Sequence, residues 1–220
     1  MSGFALLHMP LMYHYFCNSL NDTNYDHSAF SVHLKGIRNG NLETNGNFSE
    51  QENGVFWKSD DFKHVQEMDD LYTMKVIACD LAGNKSEDSV VFSVNRFGSV
   101  YTFDSATEAL VGEKGKRYTN REIPLVITET NVDTLEFKEI TLNLNGKLKT
   151  LVENEDYKVL EDGSETSWKQ YTYRISKENF EEEGTYILTI YSEDRATNTS
   201  DNNTKGKKME FVVDKTNPGV

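Results

Sequence analysis

Cysteine is nearly missing from this chain of 220 residues, and with only Cys17 and Cys79 no disulfide framework can carry the fold. The two have no CxxC spacing, so redox and zinc chemistry lose their usual sequence support. Cys79 alternates with Thr73 and Lys75, which expects it on the solvent side of its strand; a Cys17–Cys79 bridge is the minor reading. Positive charge is also short, with 23 Lys and Arg against 36 Asp and Glu. The net charge of −13 divides into −6 for residues 1–97 and −7 for residues 98–220, so neither half keeps a basic surface for phosphate backbones. Nucleic acid and anionic membranes are therefore excluded as expected partners. Solubility and self-repulsion at a crowded surface account for the acidity, and cation binding is the sharper alternative.

Long apolar runs and helical periodicity are scarce as well. The opening residues 1–16 are apolar but lack a basic start, are interrupted by His8 and Pro10, and are too short to span a bilayer. They are read as an early strand of the first unit or a divergent start of it, because Pro10-Leu11-Met12 falls opposite Pro124-Leu125-Val126 at an offset of 114; an export signal or anchor is expected outside this segment. No HExxH, GxSxG, P-loop or dinucleotide fingerprint occurs, and His8, His14, His27, His33 and His64 all lie in the first half. No enzyme is expected.

What the chain does contain is a duplication. Tyr72-Thr-Met-Lys-Val-Ile-Ala-Cys-Asp80-Leu-Ala82-Gly-Asn84 returns as Tyr186-Ile-Leu-Thr-Ile-Tyr-Ser-Glu-Asp194-Arg-Ala196-Thr-Asn198. Phe92-Ser-Val94 returns as Phe211-Val-Val213 at an offset of 119, which implies a five-residue insertion in the second copy. Val32-His-Leu34-Lys-Gly36 is matched with Leu142-Asn-Leu144-Asn-Gly146, and Trp57-Lys58 with Trp168-Lys169. Apolar residues alternate through Tyr72, Met74, Val76 and Ala78, through Val90, Phe92 and Val94, and through Tyr171, Tyr173 and Ile175, the period of a strand covered on one side. Asn39-Gly40, Asn45-Gly46, Asn145-Gly146 and Asp162-Gly163 punctuate the runs as turns. Only residues 176–183, with a counterpart near residues 60–70, read as briefly helical, and residues 39–53 and 201–207 read as polar loops. The expected fold is all-β, two tandem immunoglobulin-like antiparallel β-sandwich domains, residues 1–97 and 98–220.

Asp80-Leu-Ala-Gly-Asn84, followed by Phe92-Ser-Val-Asn-Arg-Phe-Gly-Ser-Val-Tyr101, resembles the immunoglobulin-like repeats of secreted and wall-attached surface proteins of Gram-positive gut bacteria. The resemblance implies export, a modular stalk, neighbouring modules of the same kind and no catalytic centre. Thr197 replaces the motif's glycine in the second copy, which favours a local turn role for that position.

Three candidate sites follow. In the repeated turn, Asp80 with Asn84 and Asp194 with Asn198 are expected to cap backbone N–H groups; the functional alternative gives Asp80 and Asp194 one carboxylate each in a calcium site at the junction of the domains. Asp22-Thr-Asn24-Tyr-Asp26 imitates the start of a calcium loop, but His27 and His33 stand where its glycine and bidentate glutamate belong. Trp57 and Trp168 are read as core residues, or else as flat platforms for sugar rings. Taken together, the sequence expects no cofactor unless calcium binds. The expected role is a stalk or spacer in an extracellular, cell-surface or cell-wall protein, with adhesion to a host protein or glycan as an added function. A carbohydrate-binding accessory module of a secreted glycan-degrading enzyme is the second reading.

Overall fold

The structure is a computed structural model that describes residues 17–20, 24, 26–43, 46–51, 54–59 and 63–219. The chain divides into two compact units, Met1–Val94 and Asn95–Val220. In the first unit, strands β1 (Cys17–Leu20), β4 (Gly46–Gln51) and β5 (Gly54–Ser59) form one sheet in the order β1-β5-β4. Strands β2 (Ser31–Gly36), β3 (Gly40–Leu42), β6 (Asp70–Cys79) and β7 (Lys85–Val94) form the other, in the order β3-β2-β6-β7. The expected early strand at Pro10-Leu11-Met12 lies outside the described residues. The core joins Leu34, Trp57, Tyr72, Met74 and Val76, with the Tyr72 and Phe92 rings stacked at 5.7 Å.

The second unit repeats this plan with more strands. Strands β8 (Val100–Phe103), β10 (Leu125–Asn131), β13 (Tyr157–Asp162) and β14 (Lys169–Ile175) make one sheet, β13-β14-β10-β8. Strands β9 (Tyr118–Thr119), β11 (Leu135–Leu144), β12 (Lys147–Thr150), β15 (Gly184–Asp194), β16 (Thr199–Asp201) and β17 (Met209–Val213) make the second. Its path is β12-β11-β15-β17-β9, with β16 paired to β15 and the final β17–β9 contact parallel. Read in chain order, this is the two-sheet immunoglobulin arrangement, with the first, second, fourth and fifth main strands in one sheet and the third, sixth and seventh in the other. At one end of the core Phe180 meets Tyr186 and Phe211 edge-on at 5.3 Å, and Tyr186 stacks on Phe211 at 5.5 Å. Each such pair contributes about 0.5–1.5 kcal/mol beyond the area it buries.

Strand pairing corrects one match drawn from the sequence. Leu34 lies opposite Met74, and Leu142 opposite Leu188, so with β6 and β15 aligned at 114, Leu34 corresponds to Leu142 at an offset of 108. Matching by sequence alone gives 110. A shift of two residues leaves every side chain on the same face, so alternation cannot tell the two registers apart. The offset of 119 for the last strand does hold, since Tyr72 pairs with Phe92 and Tyr186 with Phe211.

Three further expectations change. Residues 39–53, expected as a polar loop, contain the strands β3 and β4. A helix α1 (Ser105–Val111), absent from the sequence reading, is capped by Asp104, whose Oδ1 accepts from the Thr107 N–H at 2.8 Å, and it buries Thr107, Leu110 and Val111. At seven residues it is too short to show a period. The stretch from Asp201 is not a loose loop either. Asn202 is fully buried, and its Oδ1 accepts from the Ile190 N–H at 2.7 Å while its Nδ2 donates to the Lys207 carbonyl at 3.0 Å. The expected short helical segments appear as 3-10 turns, Gln66–Met68 and Lys177–Phe180.

Candidate functional site

The repeated turn links the sixth and seventh main strands of each unit and closes the same way twice. In the first unit the Asp80 N–H donates to the Asn84 carbonyl at 3.0 Å, and the Gly83 N–H to the Asp80 carbonyl at 3.0 Å. The Asp80 side chain accepts from the Asn84 backbone N–H at 2.8 Å and from its Nδ2 at 2.7 Å. These bonds, led by the side-chain amide of Asn84, hold the Asp80 carboxyl below the ordinary value of 3.8. In the second unit Asp194 repeats the backbone pattern with Asn198 and Thr197 at 3.1 and 2.8 Å. Gly83 and Thr197 occupy the same left-handed conformation, with φ of 87° and 65°. Glycine suits it; a β-branched threonine is strained there.

The two aspartates differ in what surrounds them. Asp194 is 1 % exposed, and besides the Asn198 amide its Oδ2 accepts from Asn95 at 2.9 Å and Asn131 at 3.1 Å. Asn131 also donates to the Ser99 hydroxyl at 2.9 Å, and the Ser99 N–H donates to Ser200 Oγ at 3.0 Å. Asn95 is thus tied into the second unit, which explains why the division of the chain falls just before it.

Deeper in the same unit lies a group that the sequence reading missed. Glu129 is fully buried on β10, and its carboxylate accepts from the Tyr101 hydroxyl at 3.1 Å, the Tyr173 hydroxyl at 2.9 Å and the Ser192 hydroxyl. Burial, with the Glu129 charge adding to it, pushes the Tyr101 and Tyr173 phenols well above their usual range, so both remain donors. A signal was available: Glu129 and Asn131 continue the inward phase of Leu125 and Ile127. Sealed between the sheets, this network holds β8, β10, β14 and β15 together and offers no route to a substrate.

The tryptophans do not form a matched pair. Trp57 is 4 % exposed and packs in the first core, so it cannot serve as a sugar platform; a side chain on Gly46 would collide with its indole at 2.4 Å. Trp168 lies just before β14, half-buried and out of phase with the inward Tyr171 and Tyr173. Asp26 caps the 3-10 turn His27–Ala29, with Oδ1 accepting from the Ser28 N–H at 2.9 Å, whereas Asp22, Thr23 and Tyr25 lie outside the described residues. Cys79 is a free, half-buried thiol. Among the described residues no group of three His, Cys, Asp or Glu stands close enough to hold a metal ion; the Asp80 carboxylate accepts from the backbone and side-chain N–H groups of Asn84, and the Asp194 carboxylate from those of Asn198 and from the side-chain amides of Asn95 and Asn131. No helix among the described residues is long and apolar enough to cross a membrane.

No protein-family model and no curated protein matches this chain. Solved structures do resemble it loosely. A tetra-tandem repeat in the extending region of a large adhesion protein is 12 % identical with a TM-score of 0.43, covering 97 % of this chain and 48 % of its own. Ig tandem domains of titin are 13 % identical with a TM-score of 0.35, covering 85 % and 84 %. The Dpr2 Ig1-Ig2 pair, in its complex with DIP-Theta Ig1-Ig3, is 8 % identical with a TM-score of 0.32, covering 91 % and 97 %. Likeness of this size carries no functional argument. The assignment of the chain as an all-β, immunoglobulin-like tandem rests on its own strand order and registers.

Proposed function

We propose that this chain is a non-catalytic pair of immunoglobulin-like modules from an extracellular or cell-surface protein, serving as a stalk or spacer with adhesion as an added role. One observation carries the reading: what the two units share is machinery that maintains a fold, not machinery that performs chemistry. Both place a tyrosine at the start of the sixth main strand whose hydroxyl returns to the backbone four residues earlier, Tyr72 to the Met68 carbonyl and Tyr186 to the Glu182 carbonyl, each at 2.8 Å. This is the tyrosine corner of immunoglobulin-like sandwiches. Both also keep the Asp-to-Asn turn. The buried Glu129 network, in contrast, has no counterpart among the described residues of the first unit and lies sealed from solvent.

A stalk made of independent modules should yield one module at a time. Stretching the chain between its ends should give two unfolding events, each releasing about 3.5 Å per residue for a length of chain matching one unit. A single event spanning the whole chain would overturn the modular reading. Glycan binding is the weaker alternative, because Trp57 is buried; oligosaccharides that quench the Trp168 fluorescence would restore it.

A further inference from the structure

The second unit carries an open strand edge beside an acidic groove, and we propose that this flank captures an extended, basic peptide by strand addition. The proposal builds on the reading of this unit as a binding-capable module without chemistry, and names the partner's composition.

β12 ends its sheet, paired only with β11 among the described residues, and all four of its residues are exposed. It follows a two-residue turn in which Asn145 and Gly146 have φ of 49° and 90°, the geometry of a tight hairpin. In such a hairpin Leu144 and Lys147 flank the turn as a hydrogen-bonded pair, and alternation makes Leu142 with Lys149 the next such pair. The Leu151 N–H donates to the Ile140 carbonyl at 2.8 Å, which fixes the same phase at the far end. Leu148 and Thr150 therefore direct their N–H and C=O groups away from β11, into the open edge. Neither carries a charge to guard that edge, and Leu148 is 69 % exposed.

Beside this edge runs a groove with a cavity of about 400 Å³, its inner wall formed by Leu142, Leu144 and Tyr186. Glu155, Glu178, Glu181 and Glu182 also line it. Asp156 adds a carboxylate, but Lys149 reaches it at 2.7 Å and neutralises it locally. Among the described residues Lys147 is the only other cation lining the groove, so the carboxylates remain in excess. An added strand would satisfy the backbone groups of Leu148 and Thr150; because side chains alternate, it would set its apolar side chains beside exposed Leu148 on the outer face and bring its basic ones to the glutamates on the groove face. The first unit offers less at this position: its equivalent edge, β3, has three residues, and Leu42 there packs against the core. A second copy of this chain, at −13, is a poor occupant.

The test uses the whole chain and a seven-residue synthetic peptide alternating lysine and valine. The expected result is a set of amide shifts confined to residues 147–150 and the facing groove, with the Leu148 and Thr150 N–H groups gaining protection from exchange. Methylating alternate peptide nitrogens should abolish binding, and the glutamate–valine counterpart should not bind. Combining Glu178→Lys with Glu182→Lys should weaken the Kd at least tenfold while leaving the melting temperature of the unit in place. Shifts spread over the whole acidic surface, equal binding by the methylated peptide, or no binding at about 1 mM, a level corresponding to roughly 4 kcal/mol, would each overturn the proposal. None of these results would touch the modular reading, which stands or falls on the stretching experiment.

Discussion

In the first unit the last strand, β7, runs unbroken for ten residues against β6, from Cys79 opposite Lys85 to Asp70 opposite Val94. In the second unit the same course is broken into β16 and β17. Glu193 opposite Thr199 and Tyr191 opposite Asp201 keep the offset of 114, and after residues 202–208 the pairing resumes at 119. Asn202 makes the break tolerable by giving the Ile190 N–H a side-chain acceptor where the ladder is interrupted. The lesson is that these sandwiches absorb insertions at a strand edge so long as each inner backbone group finds a partner. A second contrast concerns the interior: beside its small apolar cluster the first unit buries Asp70, whose carboxylate accepts from the Arg38, Asn39 and Leu71 N–H groups, whereas the second builds a larger hydrogen-bonded polar half around Glu129 and Asp194.

The largest expected effect tests that polar half. Glu129→Ala strips the acceptor from three buried hydroxyls and leaves a cavity, so the second unit should lose about 3–5 kcal/mol, read by amide exchange in β10 and β15. Protection in β6 should not change; if it falls equally, the units are not independent. Next, Asp194→Ala should cost about 2–3 kcal/mol, because Asn95, Asn131 and Asn198 lose a buried acceptor. Asp80→Ala, made at a solvated turn, should move the melting temperature of the first unit much less. Equal losses would erase the distinction between the two turns.

Removing the tyrosine hydroxyls compares the units at a feature they share. Tyr72→Phe and Tyr186→Phe should each cost about 1–2 kcal/mol, with the larger loss at Tyr72, whose hydroxyl also accepts from Asn39 Nδ2 at 2.8 Å. The strained turn gives a gain. Thr197→Gly should stabilise the second unit by up to about 1 kcal/mol, and Gly83→Thr should destabilise the first by a similar amount; denaturant midpoints of the variants decide the sign. The smallest effect is pH-dependent. The lowered pKa of Asp80 means that its contribution is present above the unfolded value, near 3.8, and is lost as pH falls through the lower folded value. The stability gap between wild type and Asp80→Asn should therefore be constant from neutrality down to about pH 4.5 and close below it. A gap that persists into strong acid would show that the carboxylate charge plays no part.

The sequence by itself determined the duplicated strands, the inward phase of Tyr72, Met74 and Val76, and the repeated Asp-to-Asn turn, because these rest on local alternation and short-range hydrogen bonds. Only the tertiary structure decided which residues face one another. Offsets of 108 and 110 place the same side chains inward, so the pairing of Leu34 with Met74 had to come from three-dimensional contact. The same holds for Trp57, turned into the core, and for Glu129, whose stabilising hydroxyls come from residues 28, 44 and 63 positions away. Alternation has a period of two and no memory of distant strands, so it assigns a face but not a partner.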